Sequence, residues 1–200
     1  MNVYAEGVQS NTTFSYGLGK NFEIGFNALG AIYEPGHNHI IHNNGKPYAP
    51  LMALNSQKKF QLSKLISISI GSHLFINRIG KTGMFVYVNN AYCISKTKTK
   101  IVAGLYHTSD EYYGQESRNY SENPDLKTIG FQAGIEQNIW KEKLLFQSDF
   151  VSGYHAMGQF VTGAAYCLNT NWVASAGYQI PVFKSNAIEA VVLEITYIPK

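Results

Sequence analysis

Alternation constrains this chain more than any other feature of it. In "FQLSKLISISIGSHLFI", residues 60–76, the apolar residues Phe60, Leu62, Ile66, Ile68, Ile70, Leu74 and Ile76 share one parity. Gln61, Ser63, Ser67, Ser69, Gly71 and His73 share the other. A period of two belongs to an extended strand, whose successive side chains point to opposite faces. The pattern predicts one strand over 60–76, far longer than the ordinary strand of about 5–6 residues. Lys64 falls on the apolar side near its start, where a long stem can carry the ammonium to an interface.

The pattern recurs along the chain. Phe22, Ile24, Phe26, Ala28 and Ile32 alternate with Glu23, Gly25, Asn27 and Ala31. Ile129, Phe131, Ala133 and Ile135 alternate with Gly130, Gln132, Gly134 and Glu136. Trp172, Ala174, Ala176, Tyr178 and Ile180 oppose Val173, Ser175, Gly177 and Gln179, and Val191, Leu193, Ile195 and Tyr197 oppose Val192, Glu194 and Thr196. Further strands fit at 2–18, 48–56, 83–95, 99–107, 143–152 and 157–168, for eleven in all.

A soluble sandwich also alternates, but its outer faces are charged. Here only 14% of residues are charged, against about 25% in an ordinary soluble domain, while aromatics reach 14%. The polar parity is Ser, Gly, Thr, Asn and Gln. Most of the strands reach the roughly 9–11 residues that cross a bilayer when tilted. An apolar band outside and a small-polar interior is the pattern of a transmembrane β-barrel, and lipid requires such a sheet to close. The expected fold is therefore all-β, a single antiparallel barrel domain over 1–200.

The connections alternate in length. The expected short ones are 19–21, 56–59, 96–99, 140–143 and 169–171; the longer ones are 34–47, 78–83, 107–125, 153–157 and 181–187. Short turns belong to the periplasmic side of bacterial barrels, which puts the C-terminus there and residue 2 outside. An odd strand count leaves one upward strand missing. Splitting 2–18 at "QSN" would restore an even number, but each half would be too short to cross. The expectation is a twelve-stranded barrel whose first strand and signal peptide precede Met1, with ten strands as the competing count.

Other classes find little support. No run reaches the eighteen apolar residues of a membrane helix, and "MNVYAEGVQS" lacks the basic and apolar regions of a signal peptide. A net charge of +3 with scattered Lys gives no footprint for nucleic acid. Cys93 and Cys167 have no CxxC or Cys/His metal spacing and read as two small buried or half-buried thiols, with a disulfide left open.

At this point the chain resembles bacterial outer-membrane β-barrel proteins of the porin-like, transporter type. The resemblance rests on the strand–turn rhythm, on "NTTFSYGLGKNFEIGFNALG" and on "SDFVSGYHAMGQFVTGAAYCLNTNWVASAGYQIP". It implies a Gram-negative outer-membrane location, a lipid bilayer and small hydrophilic solutes as partners, and insertion by the outer-membrane machinery. One departure is the terminal "ITYIPK", where such proteins often end on an aromatic residue; Tyr197 is near that position but not terminal.

Four acids, Glu23, Glu136, Asp149 and Glu194, fall on the inward parity, the three Glu near the periplasmic end. In an open pore they favour cations; in a filled barrel they hydrogen-bond to Ser, Thr, Gln and Tyr. The leading expectation is a passive, weakly cation-preferring channel or transporter without a cofactor. A closed structural barrel that binds through loops 34–47 and 107–125 is the alternative. A third reading uses His107 and Ser109, two apart on one strand face. Outer-membrane lipid hydrolases are similar, with the His taking the Ser proton and a third group holding the imidazole. Asp110, Glu116 and Glu122 are candidates for that third group, while Lys127 occupies the position where a partner would help. In "EPGHNHIIHNNG", Glu34, His37, His39 and His42 form a weak candidate set for zinc, copper or nickel, more simply read as a polar loop.

Overall fold

The computed structural model describes residues 8–33, 40–41, 50–77, 80, 82–109, 128–153, 158–182 and 189–199. Its long strands are β1 (Val8–Gly19), β2 (Phe22–Tyr33), β4 (Pro50–Gln61), β5 (Ile66–Asn77), β6 (Thr82–Ile94), β7 (Thr99–Thr108), β8 (Ile129–Trp140), β9 (Leu144–Val151), β10 (Gln159–Cys167), β11 (Trp172–Pro181) and β12 (Ala190–Tyr197). A two-residue strand, β3 (Ile40–Ile41), pairs with β2 beside this path. No described residue is helical. Each long strand pairs antiparallel with the next one along the chain, so the eleven form a single meander. Among the described residues β1 and β12 are its edges and do not pair with one another, which leaves the sheet open.

The strand count agrees with the periodicity, but two boundaries do not. The expected strand over 60–76 is two strands and a turn. β4 runs to Gln61, residues 62–65 bend, and β5 starts at Ile66. Phe60 and Ile68 are cross-strand partners, as are Gln61 and Ser67. Partners in this hairpin sum to an even number, so parity passes unchanged through the turn and the alternation gives no sign of it. Ser63 marks the bend instead: its Oγ accepts from Leu65 N at 3.2 Å and Ile66 N at 3.1 Å, the local bond that lets Ser compete with a ladder. Lys64 accordingly sits in the bend rather than within a strand. The second correction follows from the first. "SQKK" at 56–59 is not a turn but the middle of β4, where Ser56 meets Ser72 and Lys58 meets Ile70. The "QSN" at 9–11 is likewise no turn; β1 stays paired with β2 through it, with a register shift between Gln9 and Asn11.

The short connections follow their local chemistry. Lys20 and Asn21 have φ of 50° and 59°, and Lys141 and Glu142 have 45° and 58°. Positive φ at both central residues is the type I′ geometry that matches strand twist. Asn169 Oδ1 accepts from Asn171 N at 2.8 Å and Trp172 N at 3.0 Å, closing the bend before β11. Turns at 20–21, 62–65, 95–98, 141–143 and 168–171 all lie at one end of the meander. The strand ends that the longer connections join lie at the other.

The two faces of the sheet differ sharply. One carries the exposed large apolar residues of every long strand but β9, from Phe14, Tyr16 and Leu18 on β1 to Val191, Leu193, Ile195 and Tyr197 on β12. The other is polar and more covered, with Phe75, Phe85 and Tyr106 only 3%, 6% and 2% exposed. A single-layer sheet covers side chains on one face by curling around them. Hydrogen bonds that skip a strand show the curl: Tyr87 on β6 reaches Gln57 on β4 at 2.8 Å, and Gln132 on β8 reaches Asn89 on β6 at 2.7 Å. The polar face is concave.

Glycine sets how closely it packs. Gly71 and Tyr87 are register partners, as are Gly83 and Phe75, and Gly130 and Tyr106. In each pair the ring lies where a Cβ on the glycine would be. Each aromatic therefore covers its partner strand instead of projecting from it, the same relation by which rings protect strand glycines in other sheets.

Candidate functional site

The concave face has two zones. Toward the long connections, Phe75, Phe85 and Tyr106 form the buried cluster together with Ala53. Phe85 stacks on Tyr106 at 4.8 Å between centroids, and His73 lies 5.7 Å from Phe85 and 5.8 Å edge-on to Tyr87. The Tyr106 hydroxyl donates to the Ser152 carbonyl. Thr108, fully buried, belongs to the same face and pairs with Phe85. These rings narrow the concavity.

Toward the turns the face is polar. Asn55 Nδ2 donates to Asn27 Oδ1 at 2.6 Å, and Gln147 Nε2 donates to Glu136 Oε2 at 3.1 Å. The Thr196 hydroxyl donates to Glu194 Oε1 at 2.8 Å. Glu23 faces Gly17 and Gln57 in register, Glu136 faces Lys100 and Gln147, Asp149 faces Gly134 and Val161, and Glu194 faces Ser175. All four acids sit on the concave face. Glu23, Asp149 and Glu194 are exposed and Glu136 is half-buried.

Two cations on this face were not singled out by the periodicity. Lys59, opposite Ser69, and Lys100, opposite Glu136, have the same orientation as the acids. Lys59 was hidden by placing a turn at 56–59. Lys100 lay one residue past an expected turn at 96–99, where strand parity is hard to assign.

The other candidate pair lies at the end of β7. His107 is exposed on the convex side, and Ser109 stands two residues on with its Oγ beside Gly83, where the Phe75 ring also lies. The Ser109 hydroxyl accepts from Met84 N at 3.1 Å, while its own N donates to Met84 O at 2.9 Å. Ser109 thus continues the ladder to β6, and no hydrogen bond joins it to His107 among the described residues. Asp110, Glu116, Glu122 and Lys127 lie outside the described residues. So do Glu34, His37, His39 and His42; among the described residues no group of three or more His, Cys, Asp or Glu could hold a metal. Cys93 and Cys167 are free thiols, exposed and half-buried.

A further feature emerges only when the turns are brought together. Every described Lys lies at the turn end: Lys20, Lys64, Lys96, Lys98, Lys141 and Lys143 in or beside the turns, and Lys58, Lys59 and Lys100 just inside the strands. No Arg lies among the described residues. Lys98 and Glu142 form an exposed ion pair between neighbouring turns. The hydrogen bond and then the charge of Lys98 hold the Glu142 carboxyl below its ordinary pKa. Lys96, Thr97, Lys98, Asn138, Lys141 and Glu142 line an open depression of about 400 Å³. In sequence these lysines are spaced over more than a hundred positions and look scattered; the pairing of β7 with β8 sets the turn with Lys96 and Lys98 beside the turn with Lys141 and Lys143.

Among the described residues no helix is long and apolar enough to cross a membrane, which says nothing of crossing by strands. No protein-family model and no curated protein matches the chain.

Proposed function

We propose that the sheet closes into a transmembrane barrel of a bacterial outer membrane and that its concave face lines a passage for small hydrophilic solutes. The observation that carries this reading is the division of the sheet: the large exposed apolar side chains lie together on the convex face. Soluble proteins rarely expose a contiguous apolar patch beyond a few hundred Å², whereas a lipid-facing barrel surface needs one. The open edges of β1 and β12 require a partner strand or each other in lipid, because the bilayer offers no hydrogen bonds to a free edge. Glu23, Glu136, Asp149 and Glu194 outnumber Lys59 and Lys100 on the lumen side, and Lys100 directly opposes Glu136. The expected cation preference is therefore weak, with Glu23 and Glu194, which face no lysine in register, supplying most of the potential.

A second reading has its own observation. The covered cluster of Phe75, Phe85 and Tyr106 favours a barrel filled across its loop-side half, with binding by the loops. Single-channel recording in a planar bilayer separates the two. Stepwise conductance is expected for the passage, with a reversal potential that shifts toward zero when Glu136 and Glu194 are both changed to Gln. Folded, inserted protein without conductance favours the filled barrel. Closure itself is tested by gel mobility in detergent: faster migration of the unboiled sample is expected, and identical migration of boiled and unboiled protein counts against a closed barrel.

A further inference from the structure

We propose that the lysine-rich turn end is a docking surface for anionic phospholipid headgroups of the leaflet it faces. The inference rests on the membrane-spanning reading above and goes beyond it to a lipid preference. Three observations place the charge where headgroups would be. First, Lys96, Lys98, Lys141 and Lys143 are gathered in two neighbouring turns, β6–β7 and β8–β9. Second, the convex face ends there in aromatic rings: Tyr92, Trp140, Tyr166, Trp172 and Tyr197 are all exposed on it. Trp172 packs against Tyr197 at 4.9 Å. Third, one of these lysines continues directly from a ring: the Lys141 ammonium lies 5.9 Å from the Trp140 ring centroid.

Along β8 the order from mid-strand outward is Ile135, Trp140, Lys141: aliphatic, aromatic, lysine. That is also the order of hydrocarbon, interface and phosphate in a bilayer, where Trp and Tyr anchor and lysines snorkel. An acidic protein partner would need the charge displayed away from the apolar belt. Here it borders the belt along the turn sequence, and the depression between the β6–β7 and β8–β9 turns opens among Lys96, Lys98 and Lys141. A phosphodiester in that depression meets three ammonium groups with only Glu142 opposed, and Glu142 is already engaged by Lys98.

The two tryptophans of the chain, Trp140 and Trp172, make the test local. Wild-type protein and a Trp172→Phe variant are inserted into phosphatidylcholine vesicles. The vesicles hold a small, equal fraction of acyl-brominated phosphatidylglycerol or acyl-brominated phosphatidylcholine, and quenching of tryptophan emission is recorded. Near Trp140, local enrichment of the anionic lipid over the zwitterionic one is expected to be about fivefold, the scale of one lysine at a charged surface. It should shrink in high salt as the charge is screened. It should also disappear when Lys96, Lys98, Lys141 and Lys143 are all changed to Gln. Equal, salt-insensitive quenching by both lipids in the wild-type protein overturns the inference while leaving the membrane reading intact. No quenching by either lipid means that the convex face is not in the bilayer, and the membrane reading fails. If the four-lysine variant does not insert, the wild-type salt dependence alone decides.

Discussion

Leu105 and Tyr106 are consecutive in β7 and meet opposite surroundings: Leu105 is 64% exposed and Tyr106 is 2% exposed. The contrast holds for the two faces as a whole. On the convex face one apolar residue can replace another, because no protein surface packs against it. On the concave face the fit is specified pair by pair, ring against glycine and amide against amide. On the proposed reading, what the convex face demands is apolarity; what the curled face demands is shape. The same period of two therefore writes two different kinds of constraint.

The sharpest way to break that comparison is to truncate both neighbours. Tyr106→Ala should lose about 3–5 kcal/mol, as large aromatics do when removed from packed sites, and it also frees the Ser152 carbonyl. Leu105→Ala should cost a small part of that. Urea titration of lipid-refolded protein measures both, and equal losses would mean that the faces are not distinguished as described.

The convex face is sensitive to polarity instead. Val88 lies mid-strand in β6 and is exposed on that face. On the proposed reading, Val88→Arg should cost about 2–4 kcal/mol in vesicles, as a cation does near a bilayer midplane, while Val88→Leu should be close to neutral. An Arg tolerated like Leu would remove lipid from the argument.

A methyl group should separate the faces again, with a smaller effect. Gly71→Ala places a Cβ within the Tyr87 ring, and overpacking of this kind typically costs about 1–3 kcal/mol. Adding Tyr87→Ser should return part of the loss, since the two positions share one contact and couple. Additive losses would mean that the ring does not rest on the glycine.

The smallest effect belongs to the turn end. The folded-state pKa of Glu142 is lowered by Lys98. Its contribution thus favours the folded state above the ordinary carboxylate range and fades as pH falls through the lowered value. The pair is fully solvated and screened, so Glu142→Gln should produce no resolvable change in the urea midpoint at neutral pH in moderate salt. A clear loss there would place the pair in a more protected setting than its exposure indicates.

Much of this organisation was legible in the residues. The parity of Phe131, Ala133 and Ile135 against Gln132, Gly134 and Glu136 is the observed division of β8, and the eleven long strands match the count from alternation. The turn at 62–65 was not legible, because a hairpin with even-summed partners preserves parity and Ser63 looks like any other member of the polar face. The glycine–ring pairs were hidden for a related reason. Gly71 and Tyr87 lie sixteen positions apart, and only the register of β5 on β6 brings them together. Lys100 illustrates the same limit for the candidate lumen. Its relation to Glu136 depends on pairing across an intervening connection whose length sequence alone does not convert into register.

The most direct test of the central claim is collisional accessibility along β8 and β9 in vesicles. Single nitroxide labels are placed at 131, 132, 133, 135 and 147 after Cys93 and Cys167 are changed to Ser. The account predicts a period of two: oxygen, which concentrates in the bilayer, should relax the labels at 131, 133 and 135, and a water-soluble nickel chelate should reach those at 132 and 147. Comparable chelate accessibility at 131, 132 and 133 would contradict it, because the convex face would then lie in water rather than against lipid.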